Sequence, residues 1–201
     1  MATARTLLYF MNPVSPWTYL GHARLLDMAR RHGVAIQIRP VNLGTVFPQS
    51  GGLPLAKRAP QRQAYRLVEL ARWRDHLGVA LNVQPKFFPV AGDEASRWII
   101  AADKAFGTDA AVRLAGAVMR AVWAEERNIA DPDTLAAIAN ENGLDAEALR
   151  ARAPAAQADY DAYTADAIAR QVFGAPWYVY RDEPFWGQDR LDFLQRALER
   201  G

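Results

Sequence analysis

The pattern of hydrophobic and polar positions changes along the chain, and its first 43 residues predict a strand, a helix and a second strand. Residues 7–11 form a short continuous apolar run, which is typical of a strand buried on both faces. Apolar residues then recur at helical spacing over residues 16–31, and Gly33 follows as a stop signal. Residues 35–42 alternate between apolar and polar side chains, as a second strand does. We therefore predict a βαβ unit at the start of the chain.

The middle of the chain predicts helices for more than a hundred residues. Residues 45–55 are rich in Gly, Pro, Ser and Gln, which predicts a loop before these helices begin. Asp131 and Asp145 are good N-cap residues, and Asn142-Gly143 is a good signal for a helix end. The predicted helices span residues 60–77, 94–106, 109–126, 132–142, 146–151 and 155–172.

The strand pattern returns after Gly174 in W-Y-V-Y at residues 177–180. A predicted turn at residues 181–184, the aromatic pair Phe185-Trp186 and an amphipathic helix complete a ββα ending. A βαβ start and a ββα end that enclose a helical insertion predict an α/β, thioredoxin-like (DsbA-like) fold with a large helical insertion. The predicted domains are a discontinuous thioredoxin-like domain of residues 1–45 and 173–201 and an inserted helical domain of residues 46–172.

Composition and charge exclude several classes of partner. The chain has 201 residues, half of them apolar, which fits one domain carrying an insertion. The net charge of +2 comes from 24 basic and 22 acidic residues spread along the sequence, so no nucleic-acid partner is indicated. No apolar stretch is long enough for a membrane span, and the first residues lack the apolar region of a signal peptide. We therefore expect a cytoplasmic protein without a membrane partner.

The absence of cysteine restricts the chemistry of the chain itself. Without cysteine there is no disulfide, no thiolate nucleophile and no thiolate metal ligand, so a dithiol oxidoreductase is excluded. His22, His32 and His76 are too far apart in sequence for a local metal motif, and we expect no metal site.

Four stretches resemble one family in the right order along nearly the whole chain: S-P-W-T-Y-L, A-Y-R-L-V-E-L-A-R-W, V-W-A-E-E-R, and V-F-G-A-P with F-W-G-Q-D-R-L. They resemble 2-hydroxychromene-2-carboxylate isomerases, which are grouped with kappa-class glutathione transferases. The resemblance implies a homodimer that uses glutathione as cofactor. It would convert 2-hydroxychromene-2-carboxylate, or a similar aromatic carboxylate from aromatic hydrocarbon catabolism, to trans-o-hydroxybenzylidenepyruvate. A kappa-type transferase and a non-catalytic glutathione-binding module are the alternatives.

Ser15 is the candidate catalytic residue. From the pattern alone it is a helix N-cap with Pro16 at the first helical position. The resemblance places the sulfur of glutathione at this corner, where redox members of the fold carry their nucleophilic cysteine. The Ser15 hydroxyl would then donate a hydrogen bond to the sulfur, and the positive end of the helix would favour the thiolate. The two interpretations are compatible.

The resemblance also implies glutathione-binding residues near the end of the chain. Ala175 and Pro176 would form a cis-proline loop that pairs with the cysteinyl backbone of glutathione, whereas the pattern alone indicates only a helix end before an ordinary proline. The γ-glutamyl end would bind at the start of the last helix, where a carboxylate is favourable even without a ligand. The residues concerned are Trp186, Gly187, Gln188 and Asp189.

Lys57 is the candidate contact for an anionic substrate. Together with Arg58 and Arg62 it stands before or within the first turn of the helix predicted from residue 60, which is the unfavourable end for positive charge. A solvated basic surface explains such a cluster, and so does a carboxylate ligand. We assign Lys57 to the substrate and leave the two arginines unassigned.

Aromatic residues and two departures from the family pattern complete the predicted site. The resemblance places a substrate-facing aromatic at Phe87, although this residue can equally cap the core. Trp17 and Trp177 are further candidates for the pocket wall or for packing. Trp177 stands where the family often has a smaller residue, which predicts a reshaped pocket. Asn12 stands where the family often has aspartate, so the electrostatic effect of that carboxylate is absent.

Overall fold

A computed structural model describes residues 5–201 and shows a mixed four-stranded sheet. Its strands lie in the spatial order β2 (Ala35–Pro40), β1 (Thr6–Met11), β3 (Trp177–Tyr180) and β4 (Glu183–Trp186). Strands β1 and β2 are parallel, and the other neighbouring pairs are antiparallel. This is the predicted thioredoxin-like, DsbA-like arrangement. The elements are β1 (Thr6–Met11), α1 (Pro16–Arg31), β2 (Ala35–Pro40), α2 (Leu43–Val46), α3 (Pro60–Leu77), α4 (Asp93–Phe106), α5 (Thr108–Trp123), α6 (Pro132–Glu141), α7 (Ala146–Arg152), α8 (Gln157–Ala169), β3 (Trp177–Tyr180), β4 (Glu183–Trp186) and α9 (Leu191–Glu199).

Strand β1 lies inside the sheet and has a hydrophobic cluster on each face. Leu7, Tyr9 and Met11 belong to the larger cluster, which includes residues of α1, α4, α5 and α9. Phe10 belongs to a smaller cluster with residues of β3 and α8, and Leu8 packs against that cluster. Because successive side chains of a strand point to opposite faces, an uninterrupted apolar run suits this position.

The predicted cap residues are confirmed, although helices α5 (Thr108–Trp123) and α8 (Gln157–Ala169) are shorter than predicted. The Ser15 hydroxyl caps α1 by accepting a hydrogen bond from the Thr18 backbone N–H at 3.2 Å, and Pro16 occupies the first helical position. Helix α1 ends at Arg31 with His32 as its C-cap, and Gly33 follows with a φ of +62°. The side chains of two further N-caps, Asp131 and Asp145, accept hydrogen bonds from the first turns of α6 and α7.

Two predictions about irregular segments are wrong. Residues 45–55 are not simply a loop, because the Asn42 side chain accepts hydrogen bonds from Gly44 and Thr45 and so begins α2, which a 3₁₀ turn follows. The turn near the end of the chain involves only Arg181 and Asp182, with φ values of +50° and +62°. Such a two-residue turn fits the twist of paired strands, so β4 begins at Glu183 instead of after a four-residue turn.

Helix α3 differs from the other long helices in how little of it is buried. Among the 18 described residues of this helix, Leu70 is the only one that is buried. The helix contacts α1 and forms one wall of the site described below. Tyr65 and Val68 on this helix are among the exposed large hydrophobic residues of the chain.

The larger hydrophobic cluster contains residues of the sheet as well as residues of the helices that lie between β2 and β3 in the chain. The division of the chain into two domains therefore stays a prediction.

Within residues 5–201, no helix combines the length and the apolar character that a membrane crossing requires. The described residues also bring together no group of three or more His, Asp or Glu side chains that would hold a metal ion.

Candidate active site

A cavity of about 590 Å³ lies between the start of α1, the inner side of α3 and the connection from β4 to α9. This volume lies within the range of small-molecule sites. Three segments of the chain, far apart in sequence, meet around it. The lining residues are Trp17, Arg58, Gln61, Arg62, Tyr65, Arg66, Glu69, Trp73, Ala175, Trp186, Gly187, Gln188, Asp189 and Arg190.

Ser15 is connected to this cavity through Ala175. Its hydroxyl donates a hydrogen bond of 3.3 Å to the Ala175 carbonyl while it accepts the bond from the Thr18 N–H. Ser15 is 8% exposed and is not itself one of the lining residues. The first turn of α1 carries no acidic side chain, so the positive end of this 16-residue helix is not compensated there. An anion beside Ala175 would therefore be stabilised by the helix dipole and by any N–H or O–H donor it reaches.

Asn12 shapes the corner that leads into α1. Its side-chain oxygen accepts a hydrogen bond from the Val14 N–H at 3.0 Å, and its amide donates to the Val41 carbonyl at 3.1 Å. The Ser15 N–H donates to the Asn12 carbonyl at 3.1 Å. An aspartate at this position would accept the first bond but has no N–H for the second. The side chain thus stabilises this corner with two hydrogen bonds, of which the bond to Val41 needs an amide.

The loop opposite Ser15 has a cis peptide bond between Ala175 and Pro176, as the resemblance implied. The Pro176 carbonyl accepts a hydrogen bond of 2.9 Å from the Gly187 N–H, which joins this loop to the connection before α9. Gly187 has a φ of +94°, a conformation that favours glycine. Trp186 is 48% exposed and packs over Gly174, where an added Cβ would lie 2.8 Å from the indole nitrogen.

Gln188 and Asp189 lie side by side in the chain but differ in their surroundings. Gln188 is buried, and its side-chain oxygen accepts a hydrogen bond of 2.9 Å from Arg24 of α1. At Gly21 an added Cβ would lie 2.8 Å from the Gln188 Cβ, so glycine lets α1 approach this connection closely. Asp189 forms an ion pair with Arg190 and is partly exposed. Gln188 is therefore held in the structure, whereas the Asp189 carboxylate remains accessible to a ligand.

The wall formed by α3 is rich in arginine. Arg66 is half-buried, and its guanidinium lies 4.9 Å from the Phe88 ring centroid and 5.7 Å from that of Trp123. Burial, with the charge of Arg58 as a smaller cause, lowers the pKa of the Arg66 guanidinium to about 10. It is therefore still protonated at neutral pH. The Arg58 Nε donates a hydrogen bond of 2.8 Å to the Leu53 carbonyl.

Neither residue that we assigned to the substrate lines the cavity. Lys57 is exposed in a 3₁₀ turn before α3, and the half-buried Phe87 lies 5.2 Å from the ammonium group of Lys86. The next residue, Phe88, is the one that contacts Arg66. The assignment of Lys57 to the substrate therefore rests on the charge pattern before α3, and that of Phe87 rests on the resemblance.

The two tryptophans considered for the pocket wall lie in different places. Trp17 lines the cavity, as predicted. Trp177 packs into the smaller cluster with Phe10 and Val172 and is buried, so it does not reshape the pocket as we expected. Its side chain points to the other face of the sheet because the strand alternates, and the ring of Phe173 packs edge-on against it at 4.8 Å.

Arg66 is not among the residues predicted from the sequence, and Arg58 and Arg62 have no assignment there. A signal exists, because Arg62 and Arg66 are four residues apart and therefore share one face of α3, and Arg58 stands four residues before Arg62. The same face carries Glu69 and Trp73, which also line the cavity. Which face turns inward depends on the tertiary packing of α3, and the hydrophobic pattern of this poorly buried helix does not reveal it.

Comparison with known proteins places the chain in a family. Residues 6–199 match the family model of the DSBA-like thioredoxin domain. A protein named 2-hydroxychromene-2-carboxylate isomerase from Sphingobium xenophagum is 32% identical over 197 residues, which cover 96% of this chain and 98% of the relative. Glutathione S-transferase kappa 1 from Homo sapiens is 22% identical over 207 residues, which cover 96% of this chain and 91% of that protein.

A solved structure agrees with this placement. The structure of a selenomethionine 2-hydroxychromene-2-carboxylate isomerase is similar to this chain with a TM-score of 0.82 and 28% identity, covering 97% of this chain and 95% of that one. Sequence and fold thus agree over nearly the full length of both proteins. The chain belongs to the family of DsbA-like thioredoxin domains and, within that family, to the group of 2-hydroxychromene-2-carboxylate isomerases.

Proposed function

We propose that the protein is a glutathione-dependent isomerase that converts 2-hydroxychromene-2-carboxylate, or a similar intermediate of aromatic catabolism, to trans-o-hydroxybenzylidenepyruvate. The observation that carries the proposal is the position of Ser15. It caps α1 within hydrogen-bond distance of the Ala175 carbonyl, at the edge of a cavity in a chain without cysteine. A thiol that reacts at this corner must come from a bound molecule. Relatives named as isomerases from three bacterial sources support the reaction class.

Glutathione fits along the wall formed by Ala175 and the connection before α9. Its cysteinyl backbone would pair with Ala175 beside Pro176, as an added strand does. Its γ-glutamyl amino group would bind the accessible Asp189 carboxylate. Trp186, Gly187 and Gln188 would enclose the same end of the molecule, since they line the cavity next to Asp189. The name of the human relative, a glutathione transferase, supports this choice of cofactor.

The proposed mechanism is reversible addition of the thiolate. In the ring-opened substrate the bond from C2 to the ring oxygen is broken, the C2 hydroxyl has become a ketone, and its proton has passed to the phenol oxygen. Bound glutathione would supply a thiolate for reversible addition to the C=C bond conjugated with that ketone, which would allow rotation about this bond. Reversal of the addition would restore the double bond in the trans form and release the thiol. Glutathione would therefore not be consumed, and one difficult isomerisation would become two easier steps.

Ser15 and α1 would stabilise the thiolate before and after the addition. The hydroxyl now donates to the Ala175 carbonyl, so it must turn toward the sulfur when glutathione is bound. A hydrogen bond to the charged form lowers the pKa of a thiol, and the helix terminus acts in the same direction. Both effects increase the fraction of thiolate at neutral pH.

The test is to add the purified protein to 2-hydroxychromene-2-carboxylate with and without glutathione and to follow the absorbance change. We expect turnover only when glutathione is present, with the concentration of free glutathione unchanged at the end. An absence of glutathione-dependent turnover would overturn the isomerase assignment. Loss of glutathione in proportion to product would instead support the second candidate, a kappa-type transferase, which the human relative favours. Glutathione binding without any turnover would indicate the non-catalytic module.

We also propose that the protein is a cytoplasmic homodimer, as the family resemblance implies. Size-exclusion chromatography with light scattering of the purified chain should give twice the mass of 22.3 kDa. A monomer at all accessible concentrations would contradict the dimer. Fractionation of the source cells checks the location.

A further inference from the structure

The α3 wall of the cavity carries more positive charge than the described carboxylates around it neutralise. Four arginines and two acidic residues line the cavity. Both acids are already paired, Glu69 with Arg72 at 2.8 Å and Asp189 with Arg190. In the described part of the chain, no ion pair within 4.0 Å connects an acidic side chain to Arg58, Arg62 or Arg66. The cavity therefore suits an anionic ligand.

Arg66 is the arginine of this wall with the strongest need for an acceptor. Its Nη2 atom is shielded from solvent and has no hydrogen-bond partner among the described residues. A buried charged donor without an acceptor is unfavourable, and an added carboxylate would relieve that cost. Tyr65 and Trp73 in the cavity wall provide aromatic surface beside the charge, whereas the rings of Phe88 and Trp123 pack against the guanidinium without lining the cavity. A charge beside aromatic surface matches a ligand in which a carboxylate is attached to a conjugated aromatic system.

We propose that Arg66 binds the carboxylate of the electrophilic substrate and makes the enzyme selective for aromatic acids over neutral electrophiles. Arg62, one helical turn away, adds long-range attraction. This inference rests on the proposed function, which assigns the opposite wall to glutathione. Arg58 is less suited to the role because its Nε already donates to the Leu53 carbonyl.

Two cis substrates that differ in the charge of the carboxyl group test the selectivity: cis-benzylidenepyruvate and its methyl ester, each followed by glutathione-dependent conversion to the trans isomer. We expect the wild-type protein to prefer the acid in kcat/KM. Arg66→Gln should reduce that preference by about 10- to 100-fold, the effect of one charge-assisted hydrogen bond, while activity on the ester stays within about twofold. Arg74→Gln is the matched control, because Arg74 is on the same helix, pairs with Asp75 and does not line the cavity.

Calorimetry separates this proposal from the proposed function. Without glutathione, 2-hydroxycinnamate should bind the wild-type and Arg74→Gln proteins and should bind Arg66→Gln at least tenfold more weakly, a difference of about 1.4 kcal/mol. If this holds but the wild-type protein isomerises neither cis substrate, the anion site is supported and the isomerase assignment fails. The anion site is refuted if Arg66→Gln keeps the full preference and affinity for the acid. It is also refuted if that variant loses affinity for glutathione while its selectivity is unchanged.

Discussion

The Ser15 hydroxyl has two partners in the structure, and only one of them can be exchanged for a ligand. Accepting from the Thr18 N–H stabilises the helix, whereas the bond that it donates to Ala175 can pass to a thiolate. Ser15→Ala should therefore lower kcat about 10- to 100-fold and raise the pKa of the bound glutathione thiol by about one unit or more. The ultraviolet absorbance of the thiolate, titrated against pH, measures that pKa. The pH–rate profile should move to higher pH, because the thiolate is lost as pH falls.

The control variant Asp145→Ala distinguishes two effects of Ser15→Ala, the loss of a helix cap and the loss of a catalytic hydrogen-bond donor. Asp145 caps α7 by accepting a hydrogen bond of 2.9 Å from the Ala148 N–H and does not line the cavity. Both variants should lose about 1 kcal/mol of stability in urea unfolding, but only Ser15→Ala should change the thiol pKa. If Asp145→Ala shifts the thiol pKa equally, a direct role of the Ser15 hydroxyl is wrong.

Asn12 gives a second prediction about the same thiolate. Asn12→Asp removes the donor to the Val41 carbonyl and adds a negative charge at the corner before α1. We expect a higher thiol pKa than in the wild-type protein, because like charges disfavour the thiolate, and a slower reaction at neutral pH. Asn12→Ala loses this donor and also the acceptor of the Val14 N–H, without adding a charge. Equal thiol pKa values in the two variants would show that the charge at this position has no influence.

The sequence allowed some of these residues to be identified and not others. Ser15 stands out because a cap followed by proline is a local signal, and α1 begins there in the structure. Ala175 could be assigned only through the resemblance, since the local sequence does not indicate whether an X-Pro bond is cis or trans. Arg66 was missed because its importance depends on Phe88 and Trp123, which tertiary packing brings beside it.

Among the elements, α1 and α3 have the predicted bounds because periodicity and strong end signals agree in both helices. Strand β4 starts earlier than predicted because Glu183 and Pro184 pair with β3, and composition alone favoured a turn there. Pro184 is compatible with this strand because β4 lies at the edge of the sheet, where a missing N–H costs little. The start of β4 is therefore determined by its pairing with β3, which local composition does not indicate.

His22 joins three elements through its imidazole ring. Its Nδ1 lies 3.1 Å from the Tyr9 hydroxyl of β1, and its Nε2 lies 2.9 Å from the Val112 carbonyl of α5. A neutral ring satisfies both contacts if Nε2 donates to the carbonyl and Nδ1 accepts from the hydroxyl. Burial lowers the pKa of His22 to about 4, against the opposing effect of the Val112 hydrogen bond.

Stability should therefore fall as pH decreases, because the unfolded chain binds a proton near pH 6.5 and the folded chain only near pH 4. The loss attributable to His22 is present in full below pH 4 and amounts to about 3 kcal/mol. Urea unfolding between pH 7 and pH 4 measures it. His22→Gln should flatten this dependence, whereas His76→Gln, at an exposed position, should leave it unchanged. A His22→Gln protein with the wild-type pH dependence would contradict the assignment.

At the scale of the whole molecule, the two walls of the cavity differ in how firmly they are held. The Ala175 wall is joined to the sheet and to α1 through Pro176, Gly187 and Gln188. The α3 wall has Leu70 as its buried anchor. Since local opening is easiest where few apolar contacts are buried, amides of α3 should exchange with solvent faster than those of β1 and α1. Hydrogen exchange followed by mass spectrometry measures this difference.

The same measurement distinguishes the ligands of the two walls. Glutathione alone should slow exchange mainly over residues 175–190, and subsequent addition of 2-hydroxycinnamate should slow exchange in α3, because the carboxylate links Arg66 to the rest of the site. In Arg66→Gln the first effect should persist and the second should disappear. If glutathione alone protects α3 fully, the cofactor contacts both walls and the division of the cavity between cofactor and substrate is wrong. If neither ligand protects α3, this helix does not take part in binding, and Arg62 and Arg66 have no role in the reaction.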